Sequence, residues 1–143
     1  MSIKSFLAGM SLGAGALVLG LWYAPRTTHA QSSNHVFEIR TYTTNEGKLE
    51  ALEKRFRDHT IEIFNRHGMT SVGYWVPQDA PRSQNTLIYI LAHPSRQAAK
   101  DHWAAFNADP EWQKVRAESE ANGKIVTHVD SVFADPTDFS PLK

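Results

Sequence analysis

The sequence predicts one α+β domain with the order strand, helix, strand, strand, helix, strand, preceded by a leader. Three observations predict it. The 143 residues leave room for a single compact core. Short runs of apolar and β-branched residues bounded by turn residues recur four times. Between the first and second runs, and between the third and fourth, apolar residues return every three or four positions, the period of a helix with one buried face.

The leader differs in composition from the rest. Lys4 gives a weakly positive start, residues 6–24 (FLAGMSLGAGALVLGLWYA) are uncharged and mostly apolar, and THA ends on the small residue Ala30. This is the pattern of an export signal cut after Ala30, which leaves Gln31 first. A run of roughly 19 apolar residues is also long enough for an uncleaved membrane anchor. A mitochondrial presequence fits less well, with a single Arg and no amphipathic face. The expected location is therefore periplasmic or secreted, with membrane contact only through residues 6–24. The chain has no Cys, which suits an oxidising compartment without requiring one.

Beyond residue 30 the chain carries 13 basic and 15 acidic groups, because Lys4 and Arg26 precede that point and no Asp or Glu does. A slightly acidic domain with no basic stripe is a poor nucleic-acid binder, since phosphate neutralisation supplies most of that affinity.

The elements follow in order. In VFEIRTYT, residues 36–43, Phe37, Ile39 and Thr41 alternate with Glu38, Arg40 and Tyr42, giving a strand with two unlike faces. Leu49, Leu52, Phe56, Thr60, Ile63 and His67 then mark the inner face of a helix over 47–66, which Gly68 ends. MTSVGYWVP is a second strand stopped by Pro77, and QDAPRSQN is a connecting loop. TLIYILAH, residues 86–93, is apolar on both faces, as a strand buried from two sides should be. Ser95 caps a helix to about Asn107, and KIVTHVDSVF closes the domain as a fourth strand.

The stretch FNADPEWQKV, residues 106–115, holds two carboxylates beside a tryptophan and invites a catalytic interpretation. Three helix-start signals coincide there: Asp109 as cap, Pro110 at the first helical position, and Glu111 at the positive end of the helix dipole. Capping explains both acids. The second helix thus breaks near Asn107 to Asp109 and resumes at a new angle, with Trp112 and Val115 inward, until Asn122 and Gly123 end it.

The resulting βαββαβ order is the split, ferredoxin-like arrangement: a four-stranded antiparallel sheet with helices on one face. The other face, with Trp75 and Val76 beside the doubly apolar third strand, is too apolar to stay in water, which predicts a homodimer with sheets face to face.

FEIRTYTTNEGKLEALEKRF, HGMTSVGYWV, NTLIYILAHPSRQAAKDHWAAFNADPEWQKV and the tail PTDFSP together resemble the NIPSNAP family over residues 36–141, nearly all of the chain beyond the leader. The E-x-R-x-Y strand, the glycine before the tryptophan and DPEW stand in the family's order, whereas His93 takes a place where relatives more often carry an aromatic. The resemblance implies a dimeric α+β barrel and brings no set of catalytic residues. The wider superfamily of such barrels includes cofactor-independent monooxygenases and haem-degrading enzymes, a kinship of fold.

Two candidate sites remain. Glu38, Arg40 and Tyr42 share one face of the first strand, and His128 and Asp130 share one face of the fourth. Were both sets to point away from the helices, they would line the dimer barrel, with Arg40 as anchor for a small polar or anionic ligand. The plainer account is a Glu38–Arg40 ion pair that serves packing. The second candidate is the cleft between helices and sheet, where His59 borders the first helix's apolar stripe and His102 stands beside Trp103 with Phe106 one turn on. A histidine there suits haem iron or proton abstraction from a phenol, although amphipathic filling is the commoner role. No two histidines stand at i, i+4, and His59 and Glu62 fan apart, so no metal is expected. There is also no nucleophile elbow, phosphate loop or dinucleotide fingerprint. The functions consistent with the sequence are a homodimeric small-ligand or protein-interaction module, and a small monooxygenase with or without haem.

Overall fold

The computed structural model describes residues 35–143, so the leader and its expected cut lie outside the described residues. Four strands, β1 (Val36–Thr44), β2 (Thr70–Trp75), β3 (Thr86–His93) and β4 (Val126–Ala134), form one sheet in the order β2-β3-β1-β4, every neighbouring pair antiparallel. This is the ferredoxin-like arrangement. β3 and β1 are central, and β3 is the strand with apolar residues on both sides.

Pairing register assigns the two faces. Glu38, Arg40 and Tyr42 stand opposite Leu91, Tyr89 and Leu87 on β3, and opposite Phe133, Ser131 and Val129 on β4. Leu87, Tyr89 and Leu91 belong to the main core with Leu52, Phe56, Ile63 and Phe64 from the helical layer, so this is the covered face. Phe37, Ile39, Ile88 and Ile90 alternate onto the bare face, where Trp75 and Val132 remain 49% and 58% exposed.

The first helical segment is continuous from Leu49 to Arg66 but not uniform. α1 (Leu49–Arg55) and α2 (Ile61–Arg66) are joined by a π-helical turn, Phe56–Thr60, in which the Ile61 N–H reaches back five residues to the Phe56 carbonyl. The Thr60 hydroxyl donates to the Arg55 carbonyl at 3.2 Å. Such wide turns insert one residue into a helix and are frequent at functional sites. Here it leaves Arg55, Phe56, Thr60 and Phe64 all buried. Gly68 follows at φ +76, a conformation that ordinary side chains resist, and a side-chain carbon there would stand 3.1 Å from His102 Nε2.

The second helical layer breaks where the start signals place it. Ser95 caps α3 (Arg96–Ala108) by accepting from the Ala98 N–H, and Asp109, extended at φ −65 and ψ 121, caps α4 (Pro110–Ser119) by accepting from the Glu111 and Trp112 N–H groups. The second oxygen of Asp109 takes Arg66 at 2.9 Å and His67 at 2.7 Å, which ties the end of α2 to the start of α4. His67 and Arg66 together hold the Asp109 carboxyl below its usual range despite some desolvation.

Candidate functional site

The register corrects the first candidate site. β1 directs Glu38, Arg40 and Tyr42 toward the helices, whereas β4 pairs His128 with Thr43 and Asp130 with Thr41, on the bare side. A strand's side chains alternate, so the two sets are on opposite faces and share no cavity. His128 and Asp130 pair with each other at 3.0 Å, both exposed.

Under α3 the structure assembles a buried polar cluster around Glu38, which is 1% exposed. One carboxylate oxygen accepts from Arg40 Nη1 at 2.5 Å and from the Ser131 hydroxyl at 2.7 Å. The other accepts from the Trp103 indole N–H at 2.7 Å and from His93 Nε2 at 3.2 Å. Burial works against the charged carboxylate, but the donors His93, Trp103, Ser131 and Arg40 outweigh it and hold the pKa down at about 2. Arg40 lies 4.2 Å from the Trp103 ring centre and extends Nη2 to the Tyr42 hydroxyl at 3.4 Å. Burial disfavours its charge as well, yet Tyr42, Tyr89 and Glu38 raise its affinity for the proton.

His93 donates from Nε2 to the carboxylate, and its Nδ1 shares a hydrogen bond with His102 Nδ1 at 3.2 Å. His102 Nε2 then faces the Gly68 backbone, 3.1 Å from where a side-chain carbon would stand. Desolvation and His93 hold the His102 imidazole below its ordinary value. Glu38, with four donors, has no acceptor site left for a substrate proton, so it anchors the cluster instead of acting as a base. Arg40 and Trp103 position Tyr42 and the sheet side of the adjoining cavity.

That cavity, about 270 Å³, lies between the helices and the covered face of the sheet. Its walls are aromatic, with Tyr42, Phe56, Phe64, Phe106 and Trp112, and Phe106 meets Trp112 at a ring separation of 4.4 Å. Its polar groups include Arg55, Arg116, Glu120 and Lys124. Of the sequence candidates, Tyr42 lines it directly and Arg40, Glu38 and Trp103 support it from behind. His102 joins the cluster through His93, and His59 lies outside, exposed on the π turn and lining a separate groove with Val115 and Ser119.

Of the two histidines considered for haem, neither lines this cavity: His59 borders the separate groove and His102 stands against Gly68. Among the described residues no group of three His, Cys, Asp or Glu could hold a metal ion.

Sequence reading missed His93, Ser131 and Arg55. His93 and Ser131 belong to the site only through strand register, which one sequence does not fix. Arg55 stands three residues after Leu52, at helical spacing on the buried face of α1, just before the π turn. A charged residue at the spacing of an apolar stripe is the local sign of it.

Comparison with known proteins agrees with this geometry. None of the curated proteins matches the chain. Among solved structures, a NIPSNAP family protein of unknown function from Agrobacterium tumefaciens is similar at 28% identity and a TM-score of 0.67, covering 78% of this chain and 96% of its own. An uncharacterised NIPSNAP domain protein from Burkholderia xenovorans is similar at 23% identity and a TM-score of 0.63, covering 74% and 98%. A monooxygenase from Streptomyces coelicolor, solved with nanaomycin D, shares the fold at 15% identity and a TM-score of 0.55, covering 78% and 95%. The NIPSNAP family model matches residues 37–141, a span that holds β1, the Glu38 cluster, the capped break at Asp109 and the tail alike. On that match, and on the fold it shares with those structures, the chain belongs to the NIPSNAP family.

Proposed function

We propose that the domain is a homodimeric small-ligand-binding module whose ligand occupies the aromatic cavity between sheet and helices. The cavity carries this reading. It is walled by rings, with Arg55, Arg116, Glu120 and Lys124 among them, the combination of apolar lining and a few polar groups that marks ligand sites. At about 270 Å³ it suits one small ring system. Dimerisation is supported by the bare sheet face, where Trp75, Val132, Ile39, Ile88 and Ile90 form one apolar surface. Export is supported by residues 1–30, and mass spectrometry of the exported form should begin at Gln31. A thermal-shift screen of small aromatic compounds tests the module reading: stabilisation of the parent, lost when Phe106→Trp narrows the cavity, is expected. A flat screen across neutral, acidic and basic aromatics would remove it.

A cofactor-independent monooxygenase is the second reading, favoured by the shared fold with the Streptomyces coelicolor monooxygenase and by a tyrosine in the cavity wall. Oxygen consumption with hydroxylated aromatics, measured against a Tyr42→Phe variant, separates the two. Uptake that depends on Tyr42 supports the oxygenase, and binding without uptake supports the module.

A further inference from the structure

The charges at the cavity do not balance. Arg55, Arg116 and Lys124 line it against the single carboxylate of Glu120, although the domain beyond residue 30 is slightly acidic as a whole. Glu120 is divided between two arginines, accepting from Arg55 at 3.2 Å and standing 3.6 Å from Arg116. Arg116 is 58% exposed and Lys124 is exposed as well, so water solvates their charge, and the positive rim attracts an anion without requiring one.

Arg55, which borders both this cavity and the groove that holds His59, is the buried cation such an anion would meet. It is 5% exposed, and among the described residues its side-chain hydrogen bonds, to Ser119 and Glu120 at 3.2 Å each, both come from Nη1. Its Nε–H is buried without an acceptor. Nε and Nη2 form the side edge of the guanidinium, two parallel donors that match the two oxygens of a carboxylate. The guanidinium carbon also lies 5.2 Å from the Trp112 ring centre, so the charged edge adjoins an aromatic wall. We propose that the cavity's occupant is a small aromatic acid, one or two fused rings bearing a single carboxylate, with the carboxylate on the side edge of Arg55 and Lys124 at the mouth. This rests on the reading of the cavity as a ligand site and names the class of ligand it takes.

Calorimetric titration of the purified protein with naphthalene-2-carboxylate, the neutral naphthalene-2-carboxamide and acetate tests it. The expected result is that the acid binds about tenfold or more tighter than the amide, one well-placed charge-assisted contact being worth that much, and that acetate, with no ring, binds far more weakly. Arg55→Lys keeps the charge and loses the fork, and should bring acid and amide close to equal. Lys124→Gln, on the exposed mouth, should weaken the acid a few-fold and leave the amide unchanged. Should Arg55→Lys fail to fold, the acid-to-amide ratio and the Lys124 variant decide. Equal binding of acid and amide by the parent overturns the acid assignment while the ligand cavity stands. An acid preference untouched by both variants places the anion elsewhere and also overturns it. No binding by any aromatic probe removes the ligand-site reading itself.

Discussion

The indole N–H of Trp103 donates to the Glu38 carboxylate at 2.7 Å, joining α3 to the central strand β1 across the layer boundary. A buried carboxylate is stable only while its acceptors are occupied. Trp103→Phe keeps a ring in place and removes this donor, and should cost about 1–3 kcal/mol. Glu38→Gln strips Arg40 of its counter-charge and should cost more, about 3–5 kcal/mol. Urea unfolding measures both, and a Glu38→Gln variant as stable as the parent would show that the cluster contributes nothing to stability.

Acid should act through the same carboxylate. Its folded pKa of about 2 lies below the ordinary 4.5, so the folded state releases the proton more readily. The stabilisation is complete above pH 4.5 and is lost as pH falls through the window from 4.5 to 2. It amounts to about 3 kcal/mol for a shift of this size in a group buried as Glu38 is. Asp109, depressed by His67 and Arg66, adds loss in the same direction below its usual range. Stability measured against pH should therefore fall less steeply in Glu38→Gln between pH 4.5 and 2, and parallel curves would count against the shift.

The bare face makes a separate prediction. Val132→Lys places a charge on the β4 side of the exposed apolar surface without touching the core. Sedimentation should show the parent as a dimer and this variant as a folded monomer. A parent that sediments as a monomer at micromolar concentration would leave that face without a role in assembly.

Gly68 offers a test of the histidine pair. At φ +76 any side chain is strained, and a methyl group would meet His102 Nε2 at 3.1 Å. Gly68→Ala should cost about 1–2 kcal/mol for the left-handed backbone alone. It should also push the His102 ring from its shielded position, so that its NMR titration midpoint rises toward the ordinary histidine value. A variant with an unmoved His102 titration would mean that the ring tolerates the methyl group in place.

The fold was legible because its signals are local: Ser95 and Asp109 cap, Gly68 terminates, and β3 carries apolar residues on both sides. The site was legible in part. Alternation showed that Glu38, Arg40 and Tyr42 share a face, but nothing in β1 states which layer that face meets. Only pairing with Tyr89 and Ser131 settles it, and pairing joins residues far apart in the chain. The π turn was hidden for a related reason, since Leu52, Phe56, Thr60 and Ile63 keep ordinary helical spacing while the backbone between them widens.

Glu38 binds donors from β1, β3, α3 and β4 at once. Its acceptor sites being full, those four elements are riveted together, and that end of the molecule is stiff. The seam between α1 and the end of α4 is closed differently, by Arg55 on Ser119 and Glu120 with Arg116 beside the same carboxylate, a joint between helices that leaves the sheet out.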